Sequence, residues 1–322
     1  MNLRRTLAAV TAVALLSSCS GPGSWFGLRK PHNPDADITV AAALFPLAEV
    51  VAQVGGAHVE VLNLTPDGRD AHETELTAKQ LASLEESAAV FYIGGDFQPS
   101  IEKAVASLKK PVTVDVLTRV RTQKIDAAVT GPTIGGGGST VVDPHVWMDP
   151  ANMAAIARSV QDVLTTALPA FTAEFTSNTD RYVAELDAVG TLIDDTFLPV
   201  PGRAIRCTHS SLVVAHNAIG YLLSRARLAM VPITGVNPDE QVTARRIDDL
   251  VAAIRANGDR YVIAETLVPG DLAHAVADRA GVEVATVNPL EGMSTSDIKH
   301  GENYISVMRA NIATLASAYG CK

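Results

Sequence analysis

The stretch AFTAEFTSNTDRYVAELDAVGTLIDDTFL, residues 170–198, decides how the rest of the chain is read. Its apolar residues recur at helical spacing, and it contains no proline. Pro169 precedes it and the segment PVPG follows it, so the pattern predicts one long amphipathic helix over about 169–198. A connection of that length is no simple loop. It reads as a connecting helix between two halves.

Both flanks support that division. Upstream, ITVAAAL, VEVLNL, AVFYIGG and PVTVDV read as buried strands. They alternate with the helical patterns PLAEVVAQVGG, ELTAKQLASLEESA and SIEKAVASLK. Downstream, SLVVAH, AMVPITG, YVIAETL and VEVATVN alternate with further helices, ending in NYISVMRANIATLASAY. Strands alternating with helices argue for parallel βαβ units. The predicted fold is therefore α/β: two lobes, each with a mainly parallel sheet flanked by helices, joined by the long helix. The lobes are expected at 37–168 and 199–322. Between 120 and 142 the pattern breaks at TGPTIGGGGST, read as a flexible loop.

The amino end adds an export signal. Arg4 and Arg5 precede an apolar run from Thr6 to Leu16, about as long as a signal peptide core and too short to span a bilayer. Leu16-Ser17-Ser18-Cys19 ends the run and resembles a bacterial lipobox, which implies cleavage after residue 18 and lipidation of Cys19. Residues 19–36, rich in Gly, Pro and Ser, then read as a tether from the lipid to the first lobe. Loss of the two arginines takes the formal charge from −9 to −11. An acidic product without a basic, aromatic-interleaved patch is a poor nucleic-acid partner. An oxidising compartment permits a disulfide between Cys207 and Cys321, although nothing in the sequence places them together.

Of eight histidines, three fall at comparable points. His72 lies between VEVLNL and the helix after it. His145 lies in STVVDPHVWMDPANM, between a β-like run and the helix that Asp149-Pro150 starts. His216 lies where VVAH turns into NAIGYLL. In open α/β sheets ligands bind beyond the carboxyl ends of strands, where all three sit. Two histidines from one lobe and one from the other could be gathered in a cleft. Three imidazoles favour Zn2+, whereas Mn2+ prefers more oxygen. His32, His58, His209, His274 and His300 lack such placement.

These segments carry a family resemblance. VLNLTPDGRDAHETELTAKQL, DPHVWMDPANM, VVAHNAIGYLLSRARL, PITGVNPDEQVTARRIDDLVAAI, VIAETL and NYISVMRANI occur in order over about 37–319. Together with the lipobox they resemble the solute-binding lipoproteins of zinc and manganese ABC transporters. The resemblance implies a metal held between two lobes and passed to an ABC-transporter permease by a monomeric, lipid-anchored, extracytoplasmic protein that is not an enzyme. It maps the histidine ligands onto His72, His145 and His216. Histidine rather than glutamate at 216 points to zinc over manganese.

Two departures bear on the site. Where the family has an acidic fourth ligand in D-P-L or D-S-L, this chain reads VNPLEG. The fourth donor is then expected to be Asn288, with Glu265 or Glu291 as alternatives, and on the first reading Asn288→Asp would tighten binding. The His/Asp-rich loop common among zinc binders is replaced by the glycine-rich 130–140. Asp143, Asp149 and Glu265 are candidates to hold the imidazoles from behind. Two other classes compete for the same residues, a zinc hydrolase and a surface adhesin. The segment HETEL lacks the second histidine of H-E-x-x-H, because Leu76 stands there.

Overall fold

The computed structural model describes residue 33 and residues 35–126, 140–199, 206–267 and 270–322. The expected signal peptide, Cys19, nearly all of the tether and residues 130–139 of the glycine-rich loop lie outside them. Among the described residues no helix is long and apolar enough to cross a membrane.

The first lobe is built on β1 (Ile38–Ala42), α1 (Phe45–Gly55), β2 (Val59–Asn63), α2 (Ala78–Glu86), β3 (Ala89–Tyr92), α3 (Pro99–Ser107) and β4 (Val112–Asp115). The strands are all parallel, in the order β2-β1-β3-β4. Central β1 is fully buried from Val40 to Ala42, as expected of a strand covered on both faces. Helix starts follow local chemistry. Pro46 opens α1, and Thr77 and Gln80 form a reciprocal capping box on α2.

Next come β5 (Lys124–Asp126) and β6 (Thr140–Val142), an antiparallel ribbon: β6 is the β-like run before His145, while β5 falls where the sequence suggested a flexible loop. Strands of three residues are too short to show a period. Asp149 caps α4 (Pro150–Ala167), accepting the Ala151 N–H. The connecting helix α5 spans Thr172–Phe197, 26 residues and about 39 Å, following a 3-10 turn at Pro169–Phe171.

The second lobe contains β7 (Ser211–Val214), α6 (Gly220–Ala226), β8 (Ala229–Pro232), α7 (Ala244–Asn257), β9 (Tyr261–Glu265), α8 (Asp271–Ala280) and β10 (Glu283–Val287). Its strands are also parallel, ordered β10-β9-β7-β8. Gly258 and Gly281 end α7 and α8 in the left-handed conformation, at φ 67° and 79°. The chain closes with α9 (Thr295–Lys299) and α10 (Tyr304–Ala318).

One core runs through both halves, and a second cluster around Leu250, Ile254 and Val262 lies within the second lobe. Val40, Trp147, Leu186, Leu222 and Met308 belong to a single buried cluster spanning both lobes and α5. The last helix does not stay in its own lobe. It packs on α5 and β10 while its first residue, Tyr304, donates its N–H to buried Glu49 of α1 at 2.8 Å. Across the other side, Arg225 of α6 pairs bidentately with Asp194 of α5, at 2.8 and 3.0 Å. Gly190 makes room for it: a Cβ there would stand 2.9 Å from the guanidinium. Cys207 and Cys321 form a disulfide over a sequence separation of 114.

Candidate metal centre

Each of the three histidines follows a strand, and each is aimed by a local device. His72 sits beyond β2 in a turn where Asp70 Oδ1 accepts its backbone N–H at 2.8 Å. Gln98 braces that turn from behind, donating to Thr65 Oγ1 and to the Ala71 carbonyl. The ring meets the edge of Phe97 with centroids 4.6 Å apart.

His145 follows β6, and both it and Asp143 are fully buried. Asp143 Oδ1 accepts the backbone N–H of His145 at 3.0 Å and Nδ1–H at 2.8 Å. His216 ends the segment after β7, also fully buried, with Nδ1 against Glu265 at the end of neighbouring β9. The carboxylates fix the proton on Nδ1 in both rings. That leaves the Nε2 lone pair of each neutral imidazole for a cation.

A fourth side chain meets the rings. Glu291 Oε1 lies 3.1 Å from Nε2 of His145, 3.1 Å from Nε2 of His216 and 3.6 Å from Nε2 of His72. One donor atom from each of the four residues falls within 4.8 Å of the others. His216 Nε2 is hydrogen-bonded to Glu291 Oε1, whereas His72 Nε2 and His145 Nε2 are buried without a hydrogen bond, so those two contacts are electrostatic. Three nitrogens and one oxygen around one point form the donor set of a closed tetrahedral zinc site.

Asn288 does not join this group. Its Oδ1 accepts the Leu290 N–H at 2.8 Å, and its amide faces Met293 Sδ. Its backbone exchanges hydrogen bonds with the Asn311 side chain, at 2.9 and 2.6 Å. Those bonds fold a turn in which Leu290 adopts φ 64°, a left-handed value that costs a non-glycine residue free energy. Trp147 Nε1 donates to the Pro289 carbonyl at 2.7 Å and holds the turn against the first lobe. The turn delivers Glu291, the only acidic residue in VNPLEG, to the imidazoles. Asn288 shapes the loop, and of the two alternatives Glu291 faces the shared point while Glu265 stands behind His216. Asp149 serves as a helix cap. His209 pairs with Asp259 at 3.2 Å, away from the cluster.

Charge balance in the pocket is set by burial against neighbours. Burial alone lowers His145, but Asp143 and Glu291 outweigh it and raise the imidazole to about 8. Burial likewise opposes protonation of His216, and Glu265 with Glu291 carries it well above its ordinary value. Glu291 would be raised by burial, yet His216, His145 and His72 hold it well below the usual carboxylate range. Without a cation the site is a buried ion-pair cluster, costly to break by removing one partner.

Comparison with known proteins gives a consistent pattern. Residues 40–318 match the model of a family described as zinc-uptake complex component A, periplasmic. The chain is 28% identical over 285 residues to the zinc-binding lipoprotein AdcA of Streptococcus pneumoniae, covering 87% of this chain and 56% of that protein. The chain thus spans about half the length of the curated relatives of that type. It is 22% identical to the high-affinity zinc uptake system protein ZnuA of Bacillus subtilis, across 96% of this chain and 95% of that one. Among solved structures, the Zn(II)-bound ZnuA-like domain of S. pneumoniae AdcA superposes with a TM-score of 0.70 at 25% identity, covering 88% and 99% of the two chains.

Proposed function

Because the chain belongs to the family of periplasmic zinc-uptake components, we propose that it is the extracytoplasmic receptor of a zinc importer. It captures Zn2+ between its lobes and hands it to an ABC-transporter permease. The observation that carries this reading is the convergence of three imidazole nitrogens and the Glu291 carboxylate on one buried point. His72, His145, His216 and Glu291 are the ligands in this proposal, with Asp143 and Glu265 orienting two of the rings. Three nitrogens against one carboxylate favour Zn2+ over Mn2+.

The same donor count supports a receptor over an enzyme. A catalytic zinc keeps one position open for water. Here Glu291, 3% exposed, stands where that water would bind. The family consists of binding components, which agrees with capture and release rather than turnover. Cys19 is proposed as the lipidated residue that keeps the protein at the membrane, with residues 19–36 as tether and the lobes at 37–168 and 199–322.

Native mass spectrometry of the chain from Asp37 onward, titrated with Zn2+, tests the proposal. One tightly held zinc, lost on His145→Ala, is expected. Failure to retain zinc at micromolar concentration would refute it.

A further inference from the structure

The ribbon that carries Asp143 and His145 has an unusual last rung. Lys124 pairs with Val142 and Ile125 with Val141, so Gln123 faces Asp143 at the next step. A hydrogen-bonded antiparallel pair exchanges two N–H···O=C bonds. One is present, from Asp143 N–H to the Gln123 carbonyl at 2.9 Å. The return bond runs through a side chain of the other lobe. Gln123 N–H donates to the Tyr221 hydroxyl at 2.9 Å, and that hydroxyl donates to the Asp143 carbonyl at 2.9 Å.

Tyr221 is the second residue of α6, five positions beyond His216, and 2% exposed. Its helix sits close against the ribbon. A Cβ on Gly220 would come 3.0 Å from Asp143 Oδ2, close enough to press on the carboxylate. Ser224, one turn on, donates to the Gln123 side-chain oxygen at 3.0 Å. One face of α6 therefore docks on the two residues that end the ribbon.

We propose that Tyr221 is a positioning residue for the metal centre, acting across the lobe boundary by completing the Gln123–Asp143 rung through its hydroxyl. The lobe that supplies His216 thereby sets the carboxylate that aims His145. Without the hydroxyl, Gln123 N–H and the Asp143 carbonyl lose a shared buried partner. The backbone under Asp143 can then shift, and the imidazole shifts with it. A displacement of a few tenths of an ångström at the ligand is enough to weaken a four-donor site, because outer partners of metal ligands are typically worth 10- to 100-fold in affinity.

The zinc arm of this inference rests on the function proposed above; a second arm does not. Tyr221→Phe keeps the ring and removes both hydroxyl bonds, and Tyr319→Phe serves as control. Tyr319 likewise loses its hydroxyl bond to the Ala229 carbonyl, at the opposite end of β8. Competition with a chromophoric chelator is expected to give about tenfold weaker Zn2+ binding for Tyr221→Phe and no change for Tyr319→Phe. In the metal-free protein, histidine 15N spectra are expected to show the His145 Nδ1 resonance moved by Tyr221→Phe and by Gly220→Ala, but not by Tyr319→Phe. In an Asp143→Asn background, Tyr221→Phe should add little, since both changes act on one path. His145 resonances unchanged by Tyr221→Phe would overturn the inference, whatever Gly220→Ala does and whatever happens to stability. If the wild-type chain retained no zinc, the functional reading would fall, and the metal-free spectra would still decide the role of Tyr221.

Discussion

The carboxylate of Glu49, in the first helix, accepts the backbone N–H of Tyr304, at the start of the last helix, across 255 residues of chain. Tyr182 of the connecting helix donates to the other oxygen at 3.3 Å. Three elements meet on one group that is 1% exposed. Burial raises it to about 7, against the opposing effect of the Tyr304 and Tyr182 bonds, with Glu185 adding a further push upward. The folded chain keeps a proton that the unfolded chain releases near 4.5. This group's contribution is therefore fully present below about pH 4.5, is lost as pH rises toward 7, and is flat above. The span is on the order of 3 kcal/mol. Glu49→Gln should remove that slope, so the difference in thermal midpoint between variant and wild type should grow with pH from 5 to 8 in favour of the variant. A parallel pair of curves would show that Glu49 does not titrate there.

Zinc capture should release protons. At pH 7 the metal-free cluster holds His145, raised to about 8, and His216, raised well above its ordinary value, as cations beside an ionised Glu291. Zn2+ requires both imidazoles neutral. Calorimetry in buffers of different ionisation enthalpy should count about two protons released near pH 7 and fewer as the pH rises past 8, with affinity rising over that range. The ion pairs of the metal-free cluster act in the opposite sense. Stabilisation from protonated His145 is full below 6.5 and lost as pH climbs through about 8. A proton count of zero at pH 7 would contradict the charge state described.

The two polar residues of the 288–291 turn should respond differently. Glu291→Gln removes the charged donor and should lower Zn2+ affinity on the order of 100-fold or more, beyond the usual cost of losing an outer partner. Asn288→Asp keeps the oxygen that accepts from Leu290 N–H and should change affinity by less than about threefold. The tightening expected from the sequence is not expected from the turn. Isothermal titration of both variants decides between them, and a strong gain for Asn288→Asp would place that residue at the metal.

The disulfide should matter for stability and not for binding. Cys207 precedes β7 at the end opposite His216, and its bridge to Cys321 closes a loop over 114 positions. The chain-entropy account assigns such a loop roughly 4–5 kcal/mol. Replacing both cysteines by serine should lower the denaturant midpoint accordingly while zinc affinity holds. A large loss of affinity would mean that the bridge orders the site.

Much of this was legible in the sequence, for reasons that differ by residue. The long helix and the alternating strands declare themselves because burial imposes a period on many residues at once. His72, His145 and His216 stand out because strand ends in parallel sheets gather loops. Glu291 was harder. Nothing local distinguishes it from Asn288 until Leu290 takes its left-handed turn, and that conformation is fixed by Asn311, 23 positions away. The β-like run before His145 showed one strand of the ribbon, but its partner at Lys124–Asp126 was too short to show a period. Tyr221 was visible as part of a motif, but its bond to a rung in the other lobe is a tertiary fact.

The return of the final helix to Glu49 also limits how the molecule can move. With the long connector on one line and the carboxy-terminal segment on another, the halves are tied at two places, which opposes a jaw-like opening. On the proposed function, zinc is then expected to enter and leave by local rearrangement of the short spans that bear the imidazoles. Spin labels placed on β4 and β8 should accordingly report nearly the same separation with and without zinc.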